Sequence, residues 1–484
     1  MTRSSAIQLM LIAIIVATVF AAAWSSRRTH HAADWLIANR RLGAKLAAFG
    51  YIGNATSAWT LVLVTSAAFV SGLSAMWVAG GFLLGTLLSM SYVAPRLRTM
   101  SAAQDAVTLT QFISADAGDR LQPTIARSAA AIAILLLLLQ VGGIVRAAAY
   151  FLHEDAGNSI VVTAMLSVGV IAGCVLAGGI RAASLFDAML TVAMGFTILL
   201  LPLPAIVALG GWDGLTSGLI VLGPTMTDWF AGKSGVVALA LAGGALGLGS
   251  AILGQPHAMV RLMAVREGRS LLALRWIAPL ASAVLLAAAL LSGWCARVLY
   301  DGLQHPEQVL YALATRLLPP GIAAVFVVAL FTALMLSIAS PLLAIASQCA
   351  VDLRRPAALL SSGWARFALA LAAVASVLLA LLVPLDLSRH GLLPFLALGA
   401  AFGPILLVRL SGKRLRPGSM LGAMWSGFSL TLIFHLLPDS PGDFLERVLP
   451  FVASLGIALT GGERRRNPDR ADRAQETVHD RIPI

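Results

Sequence analysis

The chain has 484 residues, of which 59% are hydrophobic and only 12% charged, and its 34 Lys and Arg against 22 Asp and Glu leave a net charge of +12. Soluble domains carry roughly 25% charged residues, so this composition excludes an ordinary water-soluble protein and needs lipid as solvent. Near-continuous apolar runs of about twenty residues, rather than alternating segments of about ten, exclude a β-barrel and predict an all-α polytopic membrane protein.

Thirteen runs approach the ~20 residues that an α-helix needs to cross a bilayer. They lie at 6–24, 46–70, 74–94, 128–148, 159–178, 184–209, 235–254, 274–296, 321–349, 364–384, 391–408, 418–437 and 444–461. The first reads as a retained span, because Arg27 and Arg28 follow it, whereas a secretory signal carries its positive charge ahead of the apolar stretch. The runs at 46–70 and 235–254 are interrupted by glycine. The connection 95–127 is the longest on the cytoplasmic side and has room for a short amphipathic helix, as do the outside segments 211–234 and 298–320. Residues 462–484, rich in Arg, Asp and Pro, read as a disordered tail. The expected organisation is a first span and cytoplasmic loop at 1–45, blocks at 46–209 and 235–410, two further spans at 411–461, and the tail.

Lys and Arg are held on the cytoplasmic side during insertion. With the N-terminus outside and the C-terminus cytoplasmic, 27 of the 34 basic residues fall in cytoplasmic segments, Arg40, Arg181, Arg261 and Arg409 among them. The positive charge is thus a topology signal and not a nucleic-acid-binding stripe. Cys174, Cys295 and Cys349 lie in or beside spans without metal-like spacing and read as small apolar fillers.

An enzyme within the membrane needs clustered catalytic groups. No Asp or Glu falls near the middle of a predicted span: Asp187 reads as a helix start and Asp352 follows a span. Without a carboxylate cluster, paired histidines or a phosphate-cradling Gly-Lys-Ser/Thr loop, enzymatic, ATP-driven and carboxylate-relay readings lose support. Broken, partly polar helices remain. The segments Gly53-Asn54-Ala55-Thr56-Ser57-Ala58-Trp59 and Gly243-Gly244-Ala245-Leu246-Gly247-Leu248-Gly249-Ser250 each open a block of five runs. In many secondary transporters the first helix of each inverted repeat unwinds at mid-membrane, and its free backbone binds ion and substrate. The alternative is that these glycines only allow close helix packing.

Four motifs in order carry a resemblance that covers nearly the whole chain. They are Leu36-Ile37-Ala38-Asn39-Arg40-Arg41-Leu42-Gly43; Ala177-Gly178-Gly179-Ile180-Arg181-Ala182 with Asp187 downstream; Gly247-Leu248-Gly249 followed by Gly254-Gln255-Pro256-His257-Ala258-Met259-Val260-Arg261-Leu262-Met263-Ala264; and Leu398-Gly399-Ala400-Ala401-Phe402-Gly403-Pro404. The chain resembles the sodium:solute symporter family, its sodium/proline branch above all. The resemblance implies a five-plus-five inverted-repeat, LeuT-like core that works by alternating access, with sodium as coupling ion and no other cofactor. Its implied partners are a small organic solute, amino-acid-like or a carboxylate, the sodium ion and the lipid bilayer of a bacterial inner membrane.

Carried over residue by residue, the family's ion site implies backbone carbonyls of Gly53, Thr56 and Ala333 and a hydroxyl of Ser337. A second hydroxyl position falls on Leu336, and an acid position of the proline branch falls on Ala55, so the sodium ligation is thinner than the family's. Ser340, one turn beyond Ser337, is the compensating ligand; alternatively both serines bond backbone carbonyls, as membrane serines commonly do. The implied solute pocket comprises Leu248, Ile252 and Pro256, joined by Ser57 and Trp59 from the first broken helix and by Gln140. Leu248 and Ile252 replace aromatic positions of the proline branch, which implies a solute bulkier or more apolar than proline. Arg40 and Asp187 align with charged residues near the cytoplasmic mouth that gate or draw cations. Against that, Ser184 and Asp187 have capping-box spacing and Arg40 suits a topology marker.

The expected function is secondary-active import of a small organic solute coupled to sodium. The rivals are a cation-independent uniporter or exchanger and a transporter-like sensor, the latter disfavoured because no output domain follows the last span.

Overall fold

A computed structural model of the protein describes residues 12–13, 15–20, 23–24, 27, 32–55, 58–156, 159–300, 302–303, 305–353, 362–383, 391–438 and 440–464. Among these, nine helical stretches are long and apolar enough to cross a membrane. Two are too long for one pass. Ile160–Ala208 has 49 residues, and at 1.5 Å per residue that reaches about 74 Å, more than twice the ~30 Å hydrocarbon core. The helix is broken by a kink at Gly179, whose φ is +56°. A Cβ there would stand 2.3 Å from the Trp35 carbonyl oxygen, so both the left-handed backbone and the contact require glycine. Thr60–Ala103 turns in the same way at the segment Gly72–Ala75.

In chain order the helices used below are α1 (Ala32–Ile37), α2 (Ala44–Ala55), α3 (Ala58–Ser71), α4 (Met76–Leu88), α5 (Ala94–Ala103), α6 (Leu109–Ser114), α7 (Gln122–Ala156), α8 (Ile160–Leu200), α9 (Gly235–Gly247), α10 (Pro256–Ala264), α11 (Arg269–Leu299), α12 (Pro320–Leu336), α13 (Ala339–Val351), α14 (Ser362–Leu382), α15 (Leu392–Leu410), α16 (Pro417–Leu436) and α17 (Leu449–Thr460). Proline opens α10, α12 and α16 at the first helical position, where its missing N–H leaves no bond unmade and its fixed φ suits the helix. The helices are apolar all round. Leu239, Leu371 and Val192 stay exposed on the outside while Phe186, Phe402 and Tyr51 are buried, the pattern of helices surrounded by lipid rather than water.

Two sets of helices pack among themselves. In the first, α11 lies along α2, α3 and α4, while α10 packs on α2 and α5. The 3-10 segment Leu248–Gly254 presses onto α4. A Cβ on Gly249 would fall 1.9 Å from the Gly81 carbonyl oxygen, so these two backbones touch. In the second set, α8 packs against α7, α12, α13 and α14. The sets meet where α2 lies on α8 and where Leu248–Gly254 lies on α15.

Several sequence expectations are redrawn. The runs 159–178 and 184–209 correspond to two helical segments that meet at the non-helical residue Gly179 with no intervening loop, and they are described together as α8. The single run 321–349 divides, because Ser337 and Ile338 form a turn between α12 and α13. Gly462–Arg464, at the start of the predicted tail, is a β-strand paired antiparallel with Lys413–Leu415. The rest of the tail and nine of the nineteen residues of the run 6–24 lie outside the described residues.

Candidate functional site

In the first glycine-interrupted run, α2 is described to Ala55 and α3 from Ala58. Thr56 and Ser57, the predicted ion and solute residues at this break, lie outside the described residues, as does the side chain of Trp59. Gly53, one turn earlier, brings α2 onto α8: a Cβ on it would stand 2.4 Å from the Asp187 carbonyl oxygen and 2.9 Å from Thr191 Oγ1. Thr191 Oγ1 fastens the contact, 2.8 Å from the carbonyl oxygens of both Phe49 and Asp187.

Asp187 is the centre of the site. It is 1% exposed and stands two turns beyond the Gly179 kink, inside α8. The capping-box expectation therefore fails: there is no helix start at Ser184, and the Ser184 hydroxyl has no partner among the described residues. Asp187 Oδ2 accepts from Ser340 Oγ of α13 at 2.7 Å and from Asn54 Nδ2 of α2 at 2.8 Å. It also pairs with Arg261 Nη2 of α10, which in turn donates to Ser340 Oγ. Arg261 Nη1 donates to the His257 carbonyl at 2.8 Å, and Asn54 Nδ2 also reaches the Gly50 carbonyl at 2.8 Å.

Arg261 is 2% exposed, so assigning it to a cytoplasmic loop is corrected: it is a buried cation inside the fold. Four elements from both helix sets thus converge on one carboxylate. A buried charge is tolerated only when paired and hydrogen-bonded, and both members of this pair meet that condition through neighbouring polar groups. Acceptor and donor capacity is left over, since Asp187 Oδ1, Arg261 Nε and His257 Nδ1 have no partner among the described residues. Among the described residues no group of three or more His, Cys, Asp or Glu is arranged to hold a metal, so a bound cation here would depend on hydroxyls, carbonyls and this one carboxylate.

The two predicted serines behave differently. Ser340 joins the Asp187 cluster, while Ser337 Oγ donates back to the Leu334 carbonyl at 2.6 Å. Ser337 sits in the turn between α12 and α13, where its N–H reaches the buried Ala333 carbonyl at 3.3 Å. Leu336, at the expected hydroxyl position, lines a 310 Å³ cavity with Phe331 and Met335 of α12, Val162 and Leu166 of α8, and Thr18.

Of the predicted solute residues, Leu248 and Ile252 are fully buried on the 3-10 segment and Pro256 opens α10. Gln140 on α7 is half-buried, and its Oε1 has no partner among the described residues. Sequence reasoning missed Gln255, which occupies the extended residue between the 3-10 segment and α10. Its Nε2 donates to the carbonyls of Ala251 (2.9 Å) and Phe395 (2.8 Å), and its buried Oε1 has no partner among the described residues.

Arg40 is neither exposed nor at the central cluster. Its guanidinium donates to the carbonyls of Met263 (3.2 Å), Ser101 (3.0 Å) and Ala106 (2.7 Å) and to Ser101 Oγ (3.2 Å). It is aimed there by three consecutive left-handed residues, Ala38, Asn39 and Arg40. Such a run of non-glycine residues is strained and persists only when its surroundings hold it. Here Asn39 Nδ2 bonds Asp34 Oδ1 at 2.6 Å, and Leu42 joins Ala264 and Arg266 through backbone bonds of 3.0 and 2.9 Å.

Comparison with known proteins agrees with this architecture. The chain is 28% identical over 443 residues to the high-affinity proline transporter PutP of Bacillus subtilis (strain 168), covering 89% of this chain and 92% of that protein. It is 29% identical over 465 residues to the osmoregulated proline transporter OpuE of the same strain, covering 93% and 92%. Among solved structures, a Na+-coupled sialic acid symporter in a substrate-bound outward-open state matches with a TM-score of 0.78 at 16% identity, covering 96% of this chain and 99% of that one. The sequence pattern of the sodium:solute symporter family matches residues 35–428, and the chain belongs to that family.

Proposed function

We propose that this symporter imports a small amino-acid-like solute and binds its coupling sodium between the α2–α3 break and the α12–α13 turn. The observation that carries the reading is the convergence of Asn54, Asp187, Arg261 and Ser340 from two helix sets on one buried point. The sodium oxygens in this reading are the carbonyls of Gly53, Thr56 and Ala333 and the hydroxyls of Ser337 and Ser340; unwound backbone and hydroxyls coordinate sodium without a dedicated carboxylate. The two proline transporters, each matched over most of its length, favour an amino or imino acid as solute. The free amide oxygens of Gln140 and Gln255 are acceptors for its ammonium, and Leu248, Ile252, Pro256, Ser57 and Trp59 form the rest of the pocket. The basic residues favour a bacterial inner membrane orientation with the N-terminus outside and the C-terminus in the cytoplasm.

Alternating access then requires the set containing α2–α5 and α9–α11 to rock against the set around α8 and α12–α14. Sodium bound between the sets stabilises the outward-open form, and solute binding favours closure. Arg40 and Asp187 act at the cytoplasmic side, the former by holding one set together and the latter by joining the sets.

The test is thermal unfolding of purified protein in sodium, potassium and choline chloride at equal ionic strength, followed by solute uptake into proteoliposomes. A sodium concentration 100-fold above its Kd stabilises the folded state by about 2.7 kcal/mol. A sodium-specific shift with sodium-driven uptake of proline or a bulkier analogue is expected. Equal stability in all three salts refutes the sodium site. The rival, cation-independent exchange, has one observation in its favour: Arg261 already supplies a cation between Asp187 and Ser340. Uptake that persists in choline would establish that rival.

A further inference from the structure

A second buried carboxyl lies away from the Asp187 cluster. Asp352 follows α13 and is 5% exposed; its N–H donates to the Gln348 carbonyl at 2.9 Å. Its carboxyl is met by α6, the short helix in the cytoplasmic connection between α5 and α7. Thr108 is the N-cap of α6, and its Oγ1 accepts the Gln111 N–H at 3.0 Å. That leaves its own proton for Asp352, whose two oxygens lie 3.0 and 3.2 Å away. Thr110 Oγ1 donates to Asp352 Oδ2 at 2.6 Å. Both threonines are buried.

No cation pairs with this carboxyl among the described residues. The elements packed against α13 and α6 carry Arg127, Arg146, Tyr150 and His153 on α7, Arg181 and Asp187 on α8, His257 and Arg261 on α10, Arg366 on α14, Asp116 beside α6 and Arg409 on α15, with Cys349 on α13 itself. None of these is a hydrogen-bond or ion-pair partner of Asp352; Arg261 is committed to Asp187, and Arg409 pairs with Asp116 at 3.0 Å. Two neutral hydroxyls offset only part of the cost of a buried charge. Burial accordingly pushes the Asp352 carboxyl up to about 7, against the opposing pull of the Thr110 and Thr108 hydroxyls.

The placement gives this group leverage. Residues 104–121 link α5, in one helix set, to α7, in the other; Arg40 donates to the Ala106 carbonyl at their upstream end and to that of Ser101 on α5. Helix α13 also carries Ser340 of the central cluster. We propose that Asp352, Thr108 and Thr110 form a proton-set latch on the cytoplasmic face, which holds the 104–121 connection against α13 while the carboxyl is protonated and loosens as the carboxyl ionises. An ionised carboxylate gains hydration when α6 leaves α13, so alkaline cytoplasm favours the inward-open form and acid cytoplasm the closed one. The consequence for transport rests on the import reading above; the titration of Asp352 does not.

The deciding experiment has two arms on the full-length protein in lipid. Infrared difference spectra between pH 6 and pH 8, without solute, are expected to show a protonated carboxylic acid lost on alkalinisation in the wild type and absent from Asp352→Asn. Thr110→Val, which removes a donor to the anion, moves that midpoint upward. Solute uptake into proteoliposomes at fixed external pH is then measured against internal pH. The wild type rises several-fold from internal pH 6 to 8, whereas Asp352→Asn is flat at the wild-type acid level. A carboxyl signal unaffected by Asp352→Asn, a Thr110→Val midpoint that stays put, or uptake whose pH dependence survives Asp352→Asn overturns the latch. Absence of uptake at every pH overturns the import reading, and the infrared arm still decides whether Asp352 senses protons.

Discussion

Breaking the central ion pair from one side and then from both sides separates its charge from its packing. Asp187→Asn leaves the Arg261 guanidinium, 2% exposed, without its counter-charge. Removing one partner of a buried pair costs about 3–5 kcal/mol, or roughly two to four powers of ten in the folded-to-unfolded ratio. Arg261→Met is expected to cost as much, because Asp187 then keeps only Ser340 at 2.7 Å and Asn54 at 2.8 Å. The double variant Asp187→Leu/Arg261→Met removes both charges and keeps the volume filled. Asn54 retains the Gly50 carbonyl at 2.8 Å, and a helical serine such as Ser340 can bond its own backbone, so few groups are orphaned. It is expected to unfold within about 2 kcal/mol of wild type, as hydrophobic replacements of buried pairs usually do. The assay is denaturant unfolding in detergent of all four proteins, with sodium-driven uptake measured in parallel. Uptake should fall in all three variants, because stability is recoverable without the charges while coordination between helix sets is not. Additive costs in the double variant would refute the pairing as the reason these residues coexist.

Three smaller perturbations probe other contacts. Gly53→Val places a Cβ 2.4 Å from the Asp187 carbonyl oxygen; overpacking costs typically 1–3 kcal/mol and should lower sodium-dependent stabilisation more than overall stability. Wild-type stability in the same salts is the reference. Arg40→Lys keeps the charge but cannot span the acceptors at Ser101, Ala106 and Met263, and is expected to raise protease sensitivity near residues 40 and 101 almost as much as Arg40→Ala; full protection in the lysine variant would show that charge alone suffices. For Asp352 the pH sign follows from its folded value of about 7 against an unfolded value near 3.9. Below about pH 4 both states are protonated. Between about pH 4 and 7 only the unfolded state releases the proton, so stability falls with rising pH by on the order of 4 kcal/mol and levels off above. Denaturation midpoints at pH 5 and 7.5 should differ less in Asp352→Asn than in wild type.

What the sequence discloses here depends on whether a residue's reason is local. The prolines at 256, 320 and 417 are local signals, and each opens a helix. The first break is announced by Gly53 and the polar residues after it. The turn at Ser337 and Ile338 has a local signal too, Pro341 three residues on, which the uninterrupted hydropathy of the run 321–349 masks. Arg261 was illegible for a different reason. One arginine near the end of an apolar run has the signature of a topology marker, and its partner Asp187 lies 74 positions away. The same distance hides Asp187, whose neighbour Ser184 imitates a cap. Asn54 and Gln255 carried a faint signal, a lone amide in an apolar setting, but only packing shows which of them meets a charge and which a carbonyl.

The bonds are distributed in a way that suits a rocking machine. Within the set containing α2, α4 and α10, contacts are made of backbone: Leu42 pairs with Ala264 and Arg266, Gly81 touches Gly249, and Arg40 grips carbonyls. Such contacts are short-ranged, numerous and indifferent to ions, and they make the set move as one body. Between the sets at the centre, the ties are side-chain atoms on Asp187, each bond replaceable by water or by a cation. A carboxylate held by an arginine and by hydroxyl and amide donors can exchange partners without exposing a bare charge, provided the incoming group is itself positive or a donor. Sodium meets that requirement and water meets it in part. On the proposed placement of the sodium site, the cost of separating the sets is concentrated beside the ion, which is the condition for ion binding to bias the equilibrium.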